Sequence, residues 1–280
     1  MKKIMMAVAV TAVALTASAQ SKFEVKDFGT FKLHTQATAD PLGDMSSIIE
    51  GATSLVIVEP AAFHSDIAEQ QEYIAKIGKP VERVIVNYHT AGLAAYDAEA
   101  YVMIEGMPEF VKGDIYSGMM SGFASAFGDA IADDGELPSA TVTRNGKVTY
   151  DGIEYVFSAG AASDFPGASI LIGGKVYYTH FTPAADAHMS ALQVTGRAAV
   201  DAQLAALEAA KASGAVAFIG GHGGQAVDIT AVDFQIGYLK TVKELMEQKA
   251  TAEEFAAALK AAYPTASGED NVAAVASVLY

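Results

Sequence analysis

Imidazole binds metals and moves protons near neutral pH, so the histidines are the first residues whose chemistry can be read. Three of the six stand in turns that follow apolar runs. His89 lies in Asn87-Tyr88-His89-Thr90-Ala91-Gly92-Leu93, directly after Val84-Ile85-Val86. His180 lies in Thr179-His180-Phe181, and His222 in Gly220-Gly221-His222-Gly223 after the run Ala215 to Ile219. Brought together, they would make metal ligands or an acid and a base. No two share the spacing of a metal motif, so convergence depends on the fold. His64, ahead of a helical segment, and His188, after Pro183 in a long connection, are expected at a solvent-exposed rim. Ser163 and Ser169 lack the strand–turn–helix context of a nucleophile. Gly220 to Gly224 lacks the lysine and hydroxyl residue of a phosphate loop.

The elements that must position these groups follow from periodicity. Phe23 to Gln36 alternates as two short strands joined near Gly29. Leu55 to Val58 is a short β-branched run. A helix over Asp66 to Ile77 follows, with Asp66 and Glu69 spaced as a capping pair and Gly78 and Pro80 closing it. Ala100 to Ile104 is a further strand. From Asp114 to Ala132 the pattern is helical, with Ile115, Met119, Phe123, Phe127 and Ile131 every four residues, a stripe expected to pack in the core. Met103, Met107, Met119 and Met120 with Phe110 offer a second reading, the cover of an apolar pocket. Strands return at 140–142, 147–150, 153–157, 169–172 and 176–179, with Asn145-Gly146 and Gly173-Gly174 marking tight hairpins. Arg197 to Ala212 is an Ala-rich helix with Val200, Leu204 and Leu207 on one side. Ile229 to Tyr280 reads as three helices, the middle one opened by Thr251 and Glu254 and stopped by Pro264. From the residues alone the chain is mixed α and β.

This order, with the Gly-His-Gly turn far downstream, resembles the metallo-β-lactamase-fold superfamily over roughly Thr30 to Gln225. The resemblance implies an α/β (α+β) architecture, a four-layer αββα sandwich with extra C-terminal helices. It also implies metal ions, usually zinc, held by a Thr-His-x-His-x-Asp-His segment after the second strand of the unit. Laid over that segment, Asn87 falls on the Thr, Tyr88 on the first His, Thr90 on the second, Gly92 on the Asp and Leu93 on the last His. His89 takes the variable place, where a side chain points away from the metals. Ser163, with Asp164 beside it, falls where a further His is expected. The position of the bridging Asp falls on Phe181, or on His180 after a one-residue slip. His222 keeps the final His.

Two readings of that pattern stay open. In the first, the chain has lost the dinuclear site and its hydrolysis, and acts as a non-catalytic binding or interaction module without a cofactor. The cleft candidates are then Tyr88, His89, Thr90, Ser163, Asp164, His180 and His222. In the second, it is a metallo-β-lactamase-like hydrolase with a remodelled mononuclear or metal-free site on His180 and His222, the mononuclear form holding one zinc or other divalent ion. His222 itself is either a hydrogen-bonded imidazole in a glycine turn or one of those ligands. A third arrangement docks the helix from Asp114 on another chain. Tyr88, Leu93 and Phe181, if turned inward, would fill the volume of the ions.

Composition bounds the partners. The 280 residues carry a formal net charge of −15, scattered along the chain, which disfavours nucleic acid and anionic lipid. Met1-Lys2-Lys3, the apolar stretch to Leu15 and Ala17-Ser18-Ala19 predict a cleaved signal peptide over 1–19 and a periplasmic or secreted protein. With no cysteine there is neither a disulfide nor a lipid-anchoring thiol. No later run is long enough to cross a membrane. The expected organisation is a domain over 20–228 with a helical extension, 229–280, packed on it. The expected partner is a small molecule or a protein.

Overall fold

A computed structural model describes residues 22–90, 92–132, 137, 140–159 and 166–280. The leader, Ser163 and Asp164 lie outside these residues. The seven-stranded sheet runs in chain order: β1 (Lys22–Asp27), β2 (Lys32–Ala37), β3 (Met45–Glu50), β4 (Leu55–Val58), β5 (Val81–Val86), β6 (Tyr101–Ile104) and β7 (Thr141–Val142). The first four strands pair antiparallel as a meander, and from β4 to β7 the pairing is parallel. The change of direction is imposed by α1 (His64–Ile77), which carries the chain from β4 back to the start of β5.

Helix α1 turns Asp66, Ile67, Gln70 and Ile74 toward the sheet, the spacing of one helical face. Part of that face is polar. Gln70 donates to Gln36 Oε1 at 2.8 Å and to Ser46 Oγ at 2.7 Å, so its buried amide is satisfied by residues of β2 and β3. The helix does not begin at Asp66, as its spacing with Glu69 suggested. The helix starts at His64 behind Phe63, which makes no side-chain cap, and Asp66 lies buried in the first turn. Gly78 closes the helix in the left-handed conformation, φ 74°, as its type suggests.

The second sheet has the order β12-β11-β10-β9-β8, built from β8 (Gly146–Tyr150), β9 (Ile153–Ala159), β10 (Ala168–Ile172), β11 (Val176–Phe181) and β12 (Ala217–His222). Gly173-Gly174 makes the expected tight turn, with Ile172 opposite Val176. Asn145-Gly146 does not: β7 belongs to the first sheet and β8 to the second, so this turn is where the chain changes layer.

Between the sheets lies one apolar core. Ile49, Val56, Val84 and Ile104 of the first sheet meet Tyr155, Ile170, Tyr178 and Ile219 of the second, with Met103 and Met107 buried beside them. The outer face of the second sheet is covered by α4 (Arg197–Ala212), α5 (Ile229–Gln248), α6 (Ala252–Ala262) and α7 (Asn271–Leu279), which bury Val200, Leu207, Leu239, Phe255 and Val275 on Tyr177 and Phe218. The layers are therefore αββα. His188 is not the solvent residue expected. It is buried in this outer layer, with Nδ1 3.1 Å from the Tyr238 hydroxyl.

After β6 come α2 (Met107–Phe110) and α3 (Asp114–Phe127). Helix α3 corrects the expectation of a core stripe. Of its side chains only Tyr116 is buried; Met119, Phe123 and Phe127 are half-covered, and Ile115 is 61% exposed. The helix lies on the surface, held through Tyr116 and through Phe127 packed edge-on against Phe63.

Candidate functional site

The site forms where β4, β5, β11 and β12 end together. Strand β4 runs out at Val58, and Glu59 follows in the left-handed region at φ 57°, a conformation costly for a residue with a Cβ. That turn aims its fully buried carboxylate at the exit of β5. Oε1 accepts the backbone N–H groups of Asn87 at 2.7 Å and Tyr88 at 2.8 Å. Oε2 accepts no well-directed hydrogen bond, but His89 Nε2 is 3.3 Å away. Burial raises the Glu59 pKa, while His89 and the two N–H groups pull against it.

Asn87 ties the layers at this point. Its carboxamide donates to the Ala168 carbonyl at 2.8 Å and accepts the Ala168 N–H at 2.7 Å, pairing both backbone groups of one β10 residue from the opposite sheet. Next to it the Tyr88 ring fits against Gly167, where a Cβ would lie 2.2 Å from a ring carbon. The Tyr88 ring also stacks on His180, with centroids 3.9 Å apart and planes 9° apart. Phe181 and His222 continue the cluster, at 4.5 and 5.2 Å from the His180 ring.

On the far side, the turn after β2 reaches the glycine turn after β12. Asp44 bridges to His222 through the backbone, and Gly223 N–H donates to the Gly43 carbonyl at 3.1 Å. Gly220 permits the packing, since a Cβ there would lie 2.2 Å from the Thr182 nitrogen. His222 Nδ1 lies 2.9 Å from Asp44 Oδ1, at ion-pair distance though off the best hydrogen-bonding direction. Burial pulls the His222 pKa down, but Asp44, Glu59 and Asp40 outweigh it and the net shift is upward. His180, half-buried beside two other imidazoles, has its pKa driven well down by desolvation and by their charge. Asp40 is raised to about 6 by burial and by Asp44.

His89, His180 and His222 lie together at this end of the sheets. His89 departs from the outward direction expected of it, since it turns toward Glu59. His64 is exposed and stands apart, lining a concavity of about 560 Å³ with Met120, Ala124 and Ile131 beside α3. Thr90 is a buried anchor: its N–H and hydroxyl lie 3.0 and 2.9 Å from the Tyr116 hydroxyl, which fixes α3. Two residues that sequence reasoning missed, Asp44 and Glu59, hold the outer imidazoles. Their partners lie 178 and 30 positions away, and nothing local marks either carboxylate. Glu59 carried one sign, the polar residue closing an apolar strand before Pro60.

No family model and no curated protein matches the sequence significantly. Solved structures do match. One is the DIM-1 metallo-β-lactamase exposed to ceftazidime, with TM-score 0.56 and 16% identity over 81% of this chain and 99% of that one. Another is the stereoselective inverting sec-alkylsulfatase Pisa1 from Pseudomonas sp., with TM-score 0.58 and 18% identity over 80% of this chain. This chain spans 43% of the alkylsulfatase. At such identities the likeness is one of architecture, and the chain has the metallo-β-lactamase fold.

That fold implies metal ions, and the residues at the matching positions do not fit them. Gly92 sits at φ 82° with the Ala61 carbonyl oxygen 2.1 Å from where its Cβ would be, so no carboxylate side chain fits there. Leu93 is fully buried in the inter-sheet core, and Thr90 is committed to Tyr116. Burial and the Glu59 charge raise the Tyr88 phenol, which keeps its proton and is a poor ligand. Among the described residues no three His, Asp or Glu side chains are arranged to hold an ion.

Proposed function

We propose that this protein is a metallo-β-lactamase-fold binding module that works without the dinuclear centre, secreted or periplasmic after loss of residues 1–19. The observation that carries the reading is Gly92. The peptide at the matching metal position is packed so tightly on Ala61 that a ligand side chain has no room. Thr90 and Leu93 support it, each serving the scaffold where the fold's metal chemistry needs a donor. What remains at the cleft end is a half-buried row of rings, Tyr88, His180, Phe181 and His222, between two carboxylates. Such a surface suits a flat or apolar ligand, because ring faces supply dispersion and the imidazoles supply polar contacts.

The second reading, a hydrolase with a remodelled site, is favoured by one observation. The Asp44–His222 pair places a carboxylate behind an imidazole of raised pKa, the arrangement of an acid–base group. Assays with chromogenic β-lactam and sulfate-ester substrates, with and without added zinc or manganese, test between the two. The binding reading expects no turnover above the buffer rate. Turnover lost in His222→Ala would establish the second.

A further inference from the structure

We propose that Arg144 is the anchor for a small organic oxyanion, a carboxylate above all, whose flat body lies along the rings of Tyr88, His180 and Phe181. The inference deepens the binding reading and rests on it, because it names the class of ligand that the cleft takes.

Arg144 differs from the two other arginines and from the paired lysines of this acidic chain. Lys32 and Lys79 pair with Glu50, and Lys147, Lys211, Lys240 and Lys260 each face a carboxylate. Arg83 lies over the Tyr150 ring, and Arg197 lies over Tyr280 while donating to the Leu279 carbonyl at 2.9 Å. Arg144 has neither kind of partner among the described residues. Its guanidinium donates once, to the Gly167 carbonyl, at a long 3.4 Å, and its Nε is buried with no acceptor. A buried guanidinium N–H left without an acceptor is costly, and an oxyanion that filled the fork would recover that cost.

Position gives the oxyanion its context. Arg144 stands in the turn that passes from β7 to β8, the crossing between the two sheets, and its charge acts on the Tyr88 phenol. Gly167, which accepts from Arg144, is also the residue that seats the Tyr88 ring. A molecule held at the guanidinium is thus placed at the start of the row Tyr88, His180, Phe181, whose rings are stacked and half-exposed. Glu105 Oε2 accepts the Arg144 backbone N–H at 3.4 Å, which holds the turn that carries the guanidinium. The planar fork can take both oxygens of a carboxylate at once, and the rings beside it favour an anion with an aromatic body over a bare one.

The test titrates benzoate, acetate and sulfate into the full-length mature chain by calorimetry. Benzoate is expected to bind saturably and more tightly than acetate, the difference coming from the rings. Arg144→Ala should weaken benzoate at least tenfold, and Arg144→Lys several-fold, because the charge stays but the fork is lost. Tyr88→Leu should remove most of the advantage of benzoate over acetate. Melting curves that overlay the parent exclude misfolding of the variants. Benzoate affinity unchanged in both Arg144 variants, or sulfate binding tighter than benzoate, overturns the proposal. So does binding that emerges only in Asp164→Asn, since Arg144 would then serve an internal partner. Metal content separates the two levels: a stoichiometric ion with benzoate still bound through Arg144 sinks the binding-module reading alone.

Discussion

Asn87, directly after β5, and Ala168 of β10 are joined by two hydrogen bonds, 2.8 and 2.7 Å, between one carboxamide and the backbone N–H and carbonyl of one residue. An amide side chain here imitates a neighbouring strand across the two sheets. The same Asn87 donates its backbone N–H to Glu59, so the inter-sheet tie and the buried carboxylate form one unit. Asn87→Ala would strand the Ala168 N–H and carbonyl in the core. Urea denaturation should show a loss of about 2–4 kcal/mol, with the unfolding slope unchanged; a loss under about 0.5 kcal/mol would mean that water substitutes for the amide.

Gly92 carries the strongest local constraint. Gly92→Asp, the change that would restore a carboxylate at the matching metal position, drives a Cβ into the Ala61 carbonyl and a side chain into a left-handed backbone. Destabilisation of roughly 3 kcal/mol or more is expected from strain and clash together. Thermal unfolding checks the loss, and the variant should take up no zinc even with Tyr88→His and Thr90→His added. A stable triple variant that binds zinc would show that the frame is intact.

The pH dependence follows from the turn that carries Asp40 and Asp44. Asp40, raised to about 6, holds its proton more tightly in the folded state. Its contribution is present below about pH 4 and lost as the pH rises through about 6. Asp40→Asn should therefore gain on the parent by about 2 kcal/mol between pH 4 and pH 7. His222, also raised, acts the same way at higher pH: its contribution is present below about 6.5 and is lost as the pH rises through its folded value. His34 and His180, lowered by burial, oppose both, losing stability as the pH falls below about 6.5. Differences between parent and variant, measured by chemical denaturation from pH 4 to 8, isolate each group. A flat difference for Asp40→Asn would contradict its burial.

Thr251 caps α6, its hydroxyl accepting the Glu254 N–H at 3.2 Å. Thr251→Ala should cost about 1 kcal/mol in melting experiments, and Thr251→Ser close to nothing. Equal losses in the two variants would assign the effect to packing.

Much of the architecture was legible because local signals agreed with the fold. The Ala-rich stretch from Arg197 to Ala212 is helical between those same residues, and the Gly173-Gly174 turn pairs the strands beside it. Strand β3 was invisible. Ser46 and Ser47 break its apolar period, and Ser46 faces inward only because Gln70 and the Glu59 carbonyl meet it. The α3 stripe misled for the opposite reason: apolar spacing marks a face, but only tertiary contacts decide whether that face is covered. The candidate site was half legible. Turn chemistry exposed the three imidazoles, whereas Asp44 and Glu59 are isolated carboxylates whose partners come from distant strands.

The most direct measurement is the metal content of the mature chain, purified without chelator, equilibrated with zinc and desalted, for the parent and for His222→Ala. The binding-module account predicts well under one ion per chain in both. One tightly held ion per parent chain, absent from His222→Ala, would contradict it.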